Sequence, residues 1–190
     1  MGDNFWQTDK VAPHGYFQTY ARIAAELGPS ARVCELGVQG GESLRMFQGL
    51  FPLADVVGVD WSPRCSWPTG TRQVVSLQDD PALPGVLGGR FGLIVDDASH
   101  QEPQTKASFS NLWPLVQPGG YDVIEDWAVA LRDDPHWGNQ SVWGDGMLRV
   151  AESFLPMLAY PDGEVESVEY RYGLIILRKN AKLGAASGDG

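Results

Sequence analysis

Val33-Cys-Glu-Leu-Gly-Val-Gln-Gly-Gly-Glu-Ser43 decides the fold. Its first part, from Arg32 to Leu36, is short, largely apolar and bounded by turn residues, as a parallel strand buried on both faces should be. Gly37, Gly40 and Gly41 then allow a sharp turn with no Cβ to obstruct a ligand. From Glu42 to Leu50 the apolar residues Leu44, Met46, Phe47 and Leu50 fall at helical spacing, so the first helical amides face the glycine loop. A second apolar run, Asp55 to Asp60, follows and closes on an acid. Strand, glycine turn, helix and strand form the repeating unit of a doubly wound α/β sheet.

Working outward, residues 1–12 form a polar N-terminal arm, and Pro13 to Leu27 reads as a helix with Tyr16, Tyr20, Ile23 and Leu27 on one stripe. Gly28-Pro29 stops it. A third strand is expected from Thr71 to Ser76, and a short helix opened by Pro81 runs to Leu87. The fourth strand, Phe91 to Val95, runs into Asp96-Asp-Ala-Ser-His100. A helix from Pro103 to Val116 turns Phe109, Leu112, Leu115 and Val116 inward, and Pro118-Gly-Gly120 turns into a fifth strand, Tyr121 to Ile124, ending in Glu125-Asp126. Residues 127–144 form a long loop, Met147 to Leu158 a helix, and Glu164 to Arg178 an antiparallel pair turning at Gly173. One domain over residues 1–181, with 127–144 as an acceptor loop and 182–190 as a flexible tail, accounts for the chain. The alternation implies a mainly parallel, doubly wound sheet with a C-terminal antiparallel hairpin. In such sheets ligands bind outside the carboxyl ends of the strands, so Gly37–Gly41, Asp96–His100 and Glu125–Asp126 should converge on one crevice.

Composition narrows the partners. A formal charge of −10 over 190 residues argues against a nucleic-acid surface, which calls for a basic footprint. Neutral or cationic small molecules fit better. The chain has no apolar run long enough for a membrane span, and Met1-Gly-Asp-Asn is no secretory signal, so a cytoplasmic protein is expected. Its two cysteines, Cys34 and Cys65, suggest neither a disulfide framework nor a zinc site.

Four acids, Asp96, Asp97, Glu125 and Asp126, would repel one another at the crevice unless a cation or proton sits among them. Carboxylate ligation favours a hard cation such as Mg²⁺ over zinc. Helix capping and core ion pairs are the structural alternative for any one of them. Glu125 and Asp126 are neighbours, so they share a ligand only if the strand has already broken there.

The pattern Glu35-x-Gly37-x-x-x-Gly41, with Asp60 closing the next strand, resembles the S-adenosylmethionine site of Rossmann-like class I methyltransferases. There Asp60 would take the two ribose hydroxyls. A longer series narrows the likeness: Thr8-Asp-Lys10, Gly41-Glu-Ser-Leu-Arg-Met-Phe47, Val95-Asp-Asp-Ala-Ser-His100 and Val123-Ile-Glu-Asp126. Over residues 8–126 it is similar to the metal-dependent sugar O-methyltransferases of macrolide and glycosylated polyketide biosynthesis. The resemblance implies Mg²⁺ held by Asp97, Glu125 and Asp126, with His100 as general base. It implies S-adenosylmethionine against Glu35, Gly37, Gly41 and Ser43 on the loop side. Asp60, Gln78, Asp80 and Asp96 face the cofactor from the later strands. Ala98 stands where that family has glycine, and a counterpart of its large N-terminal auxiliary domain, which helps build the acceptor pocket and the oligomer, is not expected here. Whether the chain is a homo-oligomer stays open.

The implied activity is O-methylation of a hydroxyl on a glycosylated natural product. Two other readings share these residues: a catechol-type or other small-molecule O-methyltransferase, and a non-methylating partner protein of a biosynthetic complex. His100 has a structural alternative as a satisfied imidazole. Trp127, His136, Trp137 and Trp143 suit either an aromatic wall over the acceptor or a satellite packing cluster.

Overall fold

The computed structural model describes residues 7–131 and 146–183. Its elements alternate as the sequence pattern requires: α1 (Phe17–Leu27), β1 (Val33–Leu36), α2 (Glu42–Leu50), β2 (Val56–Asp60), β3 (Arg72–Val75), α3 (Leu83–Leu87) and β4 (Phe91–Asp96). There follow α4 (Glu102–Leu112), β5 (Val116–Glu125), α5 (Gly146–Ser153), β6 (Val165–Arg171) and β7 (Leu174–Lys179). The strands form a seven-stranded sheet in the order β3-β2-β1-β4-β5-β7-β6. The first five are parallel, and β7 pairs antiparallel with both β5 and β6. The chain reverses direction across the sheet between β1 and β4, the switch point where a crevice opens.

Strand pleating divides the interior into two faces. Val33, Leu93, Val95 and Val123 face α1 and α2, where Tyr20, Ile23, Leu44 and Phe47 cover them. Cys34, Leu36, Ile94 and Ile124 face the other way, under Leu83, Leu112, Val150 and Phe154. The central strands β1, β2 and β4 are buried along their whole length, which explains their near-continuous apolar sequence.

Four boundaries depart from the sequence reading. The helix expected from Pro13 begins at Phe17, because residues 8–16 wind through turns in which Phe17 donates to the Lys10 carbonyl (3.0 Å) and Gly15 takes φ +73°. The helix expected to reach Val116 ends at Leu112; Pro114 sits in a 3₁₀ turn over Trp113–Leu115. Pro118-Gly-Gly120 does not precede β5 but lies within it, as an irregularity where the register against Phe91 and Leu93 shifts. Near the C-terminus α5 stops at Ser153, and a 3₁₀ turn over Leu155–Leu158 contains Pro156. Of the expected 127–144 loop, Trp127–Leu131 is a 3₁₀ helix. The rest of that loop, and most of the 182–190 tail, lie outside the described residues.

Phe47 is fully buried and meets the Tyr20 ring edge-on at 5.1 Å between centroids. Phe47→Ala should cost about 3–5 kcal/mol of stability, the range for deleting a buried aromatic ring. Urea unfolding followed by far-UV circular dichroism measures it, and a loss under about 1 kcal/mol would place Phe47 at a site able to collapse without cost.

Candidate active site

The glycine loop after β1 crosses the carboxyl end of β4 with no room for a side chain. Gly37 has φ +90°, and a Cβ there would lie 2.1 Å from the Asp97 carbonyl oxygen. Gly41, at φ +76° and immediately before α2, would put a Cβ 2.1 Å from the Ser66 carbonyl oxygen. These two glycines let loop and strand ends close around a cavity of about 920 Å³. Gly37, Ser43, Asp60, Gln78, Asp97, His100 and Asp126 all line it. That volume suits a cofactor-sized ligand.

Pleat and register distribute the acids. Leu36 pairs with Asp96, and Asp96 with Ile124, so Asp97 and Glu125 leave adjacent strands side by side on the α1/α2 face. Glu35 projects to that same face from β1. Asp96 points to the opposite face, where Gln78 Nε2 donates to both its oxygens (3.1 and 3.2 Å) and Ser108 Oγ donates to Oδ2. Burial pushes the Asp96 carboxyl up to about 6 against those donors. Gln78 Oε1 in turn accepts the Ser99 amide at 2.9 Å, fastening the loop after β3 to the one after β4.

The cation among the acids is a lysine. Lys10 is fully buried, with Nζ 2.6 Å from Asp97 Oδ2, 2.8 Å from Glu125 Oε1 and 3.3 Å from Glu35 Oε1. Burial disfavours the ammonium, but Asp97, Glu125 and Glu35 outweigh it and hold Lys10 well above the ordinary lysine range. Tyr20 OH also donates to Glu125 Oε1, and Ser43 Oγ donates to Glu35 Oε2 at 2.6 Å. Burial raises Glu35 to about 7, while burial and Asp97 raise Glu125 well above the usual carboxylate range.

On the cavity side, Asp97, His100 and Asp126 each present a ligand atom, all within 4.8 Å of one another. His100 Nε2 lies 3.9 Å from Asp97 Oδ1 and 4.0 Å from Asp126 Oδ2. Both His100 (φ +52°) and Asp126 (φ +54°) adopt left-handed backbone, rare for residues with a Cβ and frequent at functional sites. For Asp126 this is the break at the end of β5 that frees it from the strand's alternation. Tyr16 OH donates to Asp126 Oδ1 at 2.7 Å.

At the far wall Asp60 accepts the Val38 and Ser62 amides (2.8 Å each) and the Gln39 amide (3.4 Å). Burial works against its carboxylate, yet those amides win and keep its pKa below the ordinary aspartate value. Its oxygens thus organise the loop as well as facing the cavity.

Of the sequence-predicted residues, Gly37, Ser43, Asp60, Gln78, Asp97, His100 and Asp126 meet at the cavity. Glu35, Gly41, Asp96 and Glu125 support it from behind. Asp80 accepts the Ala82 amide at 2.8 Å and the Ser76 hydroxyl at 3.1 Å. Trp127 donates to the Arg171 carbonyl and meets Tyr170 edge-on, packing on the hairpin; His136, Trp137 and Trp143 lie outside the described residues. Sequence reasoning gave no role in the site to Lys10, Tyr16 or Tyr20, the tyrosines being read only as a helix stripe. Their only signals were Thr8-Asp-Lys10 itself and a tyrosine pair at i, i+4.

None of the protein-family models compared matches the chain. L-olivosyl-oleandolide 3-O-methyltransferase of Streptomyces antibioticus is 32% identical over 123 residues, 59% of this chain and 31% of that protein. Mycinamicin VI 2''-O-methyltransferase of Micromonospora griseorubida is 33% identical over 121 residues, 58% of this chain and 30% of that protein. In three dimensions the chain matches the MycE methyltransferase of the mycinamycin biosynthetic pathway, solved in complex with Mg, SAH and mycinamycin VI. The TM-score is 0.78 at 25% identity, over 92% of this chain and 52% of that one. The chain therefore spans about a third of the length of the curated relatives it matches and about half of MycE. Among the described residues no helix is long and apolar enough to cross a membrane. The chain has the Rossmann-like class I methyltransferase fold, and its sequence relatives include sugar O-methyltransferases of glycosylated natural products.

Proposed function

We propose that this chain is an S-adenosylmethionine- and Mg²⁺-dependent O-methyltransferase, cytoplasmic, acting on a hydroxyl of a glycosylated small-molecule natural product. The observation that carries it is the Asp97–His100–Asp126 cluster on the wall of the same cavity as the Gly37–Gly41 loop and Asp60. The relatives' names supply the acceptor class. Six carboxylates, of Asp9, Glu42, Asp60, Asp79, Asp97 and Asp126, and no lysine or arginine stand among the described lining residues. Such a wall favours a cationic ligand, as a sulfonium cofactor is.

Asp97 and Asp126 fit a divalent cation: two carboxylates converge there beside an imidazole, part-exposed to the cavity. Glu125 joins this set on the resemblance alone, since its Oε1 already accepts from Lys10 and Tyr20. When bound, the cation supplies Lewis acidity that makes an acceptor hydroxyl more acidic. Asp60 would hold the ribose end of the cofactor, with Gln78 toward its base. When bound, the cofactor would supply its sulfonium methyl to the acceptor oxygen, the carbon–sulfur electron pair staying on sulfur. His100 takes the hydroxyl proton onto its imidazole. The cluster geometry also favours a second reading, in which His100 is a cation ligand and not the base.

Three experiments test this reading. His100→Gln should slow methyl transfer about 10²–10⁴-fold with little change in S-adenosylhomocysteine affinity or melting temperature. Retained Mn²⁺ binding in that variant assigns the base role, lost binding the ligand role, and a rate within a few-fold of wild type removes His100 from the chemistry. Transfer itself is read as a gain of about 14 Da, one CH₂, on candidate glycosides, abolished by EDTA and restored by Mg²⁺. Asp60→Ala should weaken the cofactor by about 1.5–3 kcal/mol in calorimetric titration, the scale of lost charge-assisted hydrogen bonds. A wild-type chain that binds no cofactor at millimolar concentration would overturn the assignment.

A further inference from the structure

The N-terminal turn is built into the site through one side chain. Thr8, Asp9 and the preceding Gln7 line the cavity, and the next residue, Lys10, dives beneath it. Its backbone is fixed at both ends: the Lys10 amide donates to Thr8 Oγ1 at 3.3 Å, and the Lys10 carbonyl accepts from Phe17 at the start of α1. The ammonium then divides the Asp97 carboxylate. Oδ2 is held at 2.6 Å by Lys10, while Oδ1 faces His100 and the cation-compatible cluster.

We propose that Lys10 is a positioning residue: by holding the inner oxygen of Asp97 it aims the outer oxygen at the cluster with His100 and Asp126, and so sets how tightly that cluster takes a divalent cation. The inference rests on the reading of that cluster as a cation site. Glu125 and Glu35 complete the ammonium's surroundings, so the side chain cannot swing away without leaving three acids unpaired. A buried donor of this kind orients its carboxylate as hydrogen-bond acceptors orient metal-ligating histidines. Removing such partners typically lowers metal affinity 10- to 100-fold.

Charge and positioning predict opposite results, which makes the experiment decisive. Deleting a positive charge beside a cation site would, by Coulomb's law alone, tighten cation binding. Losing the anchor of Asp97 would weaken it. Mn²⁺ binding to the full chain, followed by electron paramagnetic resonance of free Mn²⁺, should therefore fall about 10- to 100-fold in Lys10→Met. S-adenosylhomocysteine affinity by calorimetry should stay within about threefold, since Lys10 does not line the cavity. Lys10→Met leaves Glu35, Asp97 and Glu125 without their counter-ion, so the double variant Lys10→Met/Glu35→Gln, which removes one of those acids as well, is measured too, against Glu35→Gln alone. The same fall is expected there. Unchanged or tighter Mn²⁺ binding in either Lys10 variant overturns the inference. Wild-type protein that binds no Mn²⁺ instead overturns the underlying cation site.

Discussion

The Lys10 ammonium among Glu35, Asp97 and Glu125 is the contact on which the rest of the site depends. It joins the N-terminal turn to the ends of β1, β4 and β5, four places that share no local sequence. One cation cannot neutralise three buried carboxylates, and an unpaired buried charge is costly. The structure resolves this in two ways. Burial pushes the carboxyls of Glu35 and Glu125, the deeper pair, upward, to about 7 for Glu35, while Ser43 and Tyr20 donate to them and act in the opposite direction. Asp97, the more exposed of the three, forms the shortest ion pair with the lysine. The arrangement concentrates negative charge where the cavity begins.

Sheet geometry decides which acid plays which part. With a period of two, Glu35, Asp97 and Glu125 must share a face, and Asp96 must take the other. Asp126 escapes the alternation only because the chain turns left-handed immediately after β5. An acid-rich run at two strand ends thus separates into a buried set that holds a lysine, an outward pair beside an imidazole, and Asp96, which ties Gln78 and Ser108 to the sheet.

The architecture was legible because its signals are local. Buried parallel strands read as apolar runs, and a glycine turn followed by helical spacing fixes the first βα unit. With the alternation, these gave the sheet and hairpin. Boundaries failed where local chemistry has two outcomes: Pro-Gly-Gly serves as a turn or as a bulge within a strand, and Pro114 as a helix residue or a 3₁₀ turn. The cavity's acids were legible from strand-end placement. Lys10 was not, because lysine is almost always exposed. Its burial exists only through partners from distant strands, 87 and 115 residues away for Asp97 and Glu125. Tyr16 and Tyr20 were readable as a core stripe. Their hydroxyls' second duty, donating to Asp126 and Glu125, depends on the same long-range folding.

The buried lysine also bears on the energetics of the proposed transfer. Attack by a hydroxyl that is losing its proton brings developing negative charge toward a sulfonium, and the two charges cancel as the methyl moves. Carboxylates around the cavity stabilise the charged cofactor before reaction more than they stabilise the charge-dispersed transition state, and only differential stabilisation speeds the step. An acid-rich wall therefore helps capture the cofactor but is a disadvantage at the reacting centre itself. Asp60 and Glu42 lie toward the loop, where the proposed cofactor would be captured, while Asp97 carries an ammonium directly behind it. Lys10 lowers the effective negative charge at that one carboxylate and leaves its outer oxygen beside His100, so in the proposed transfer binding and reaction would be served by acids in different electrostatic states.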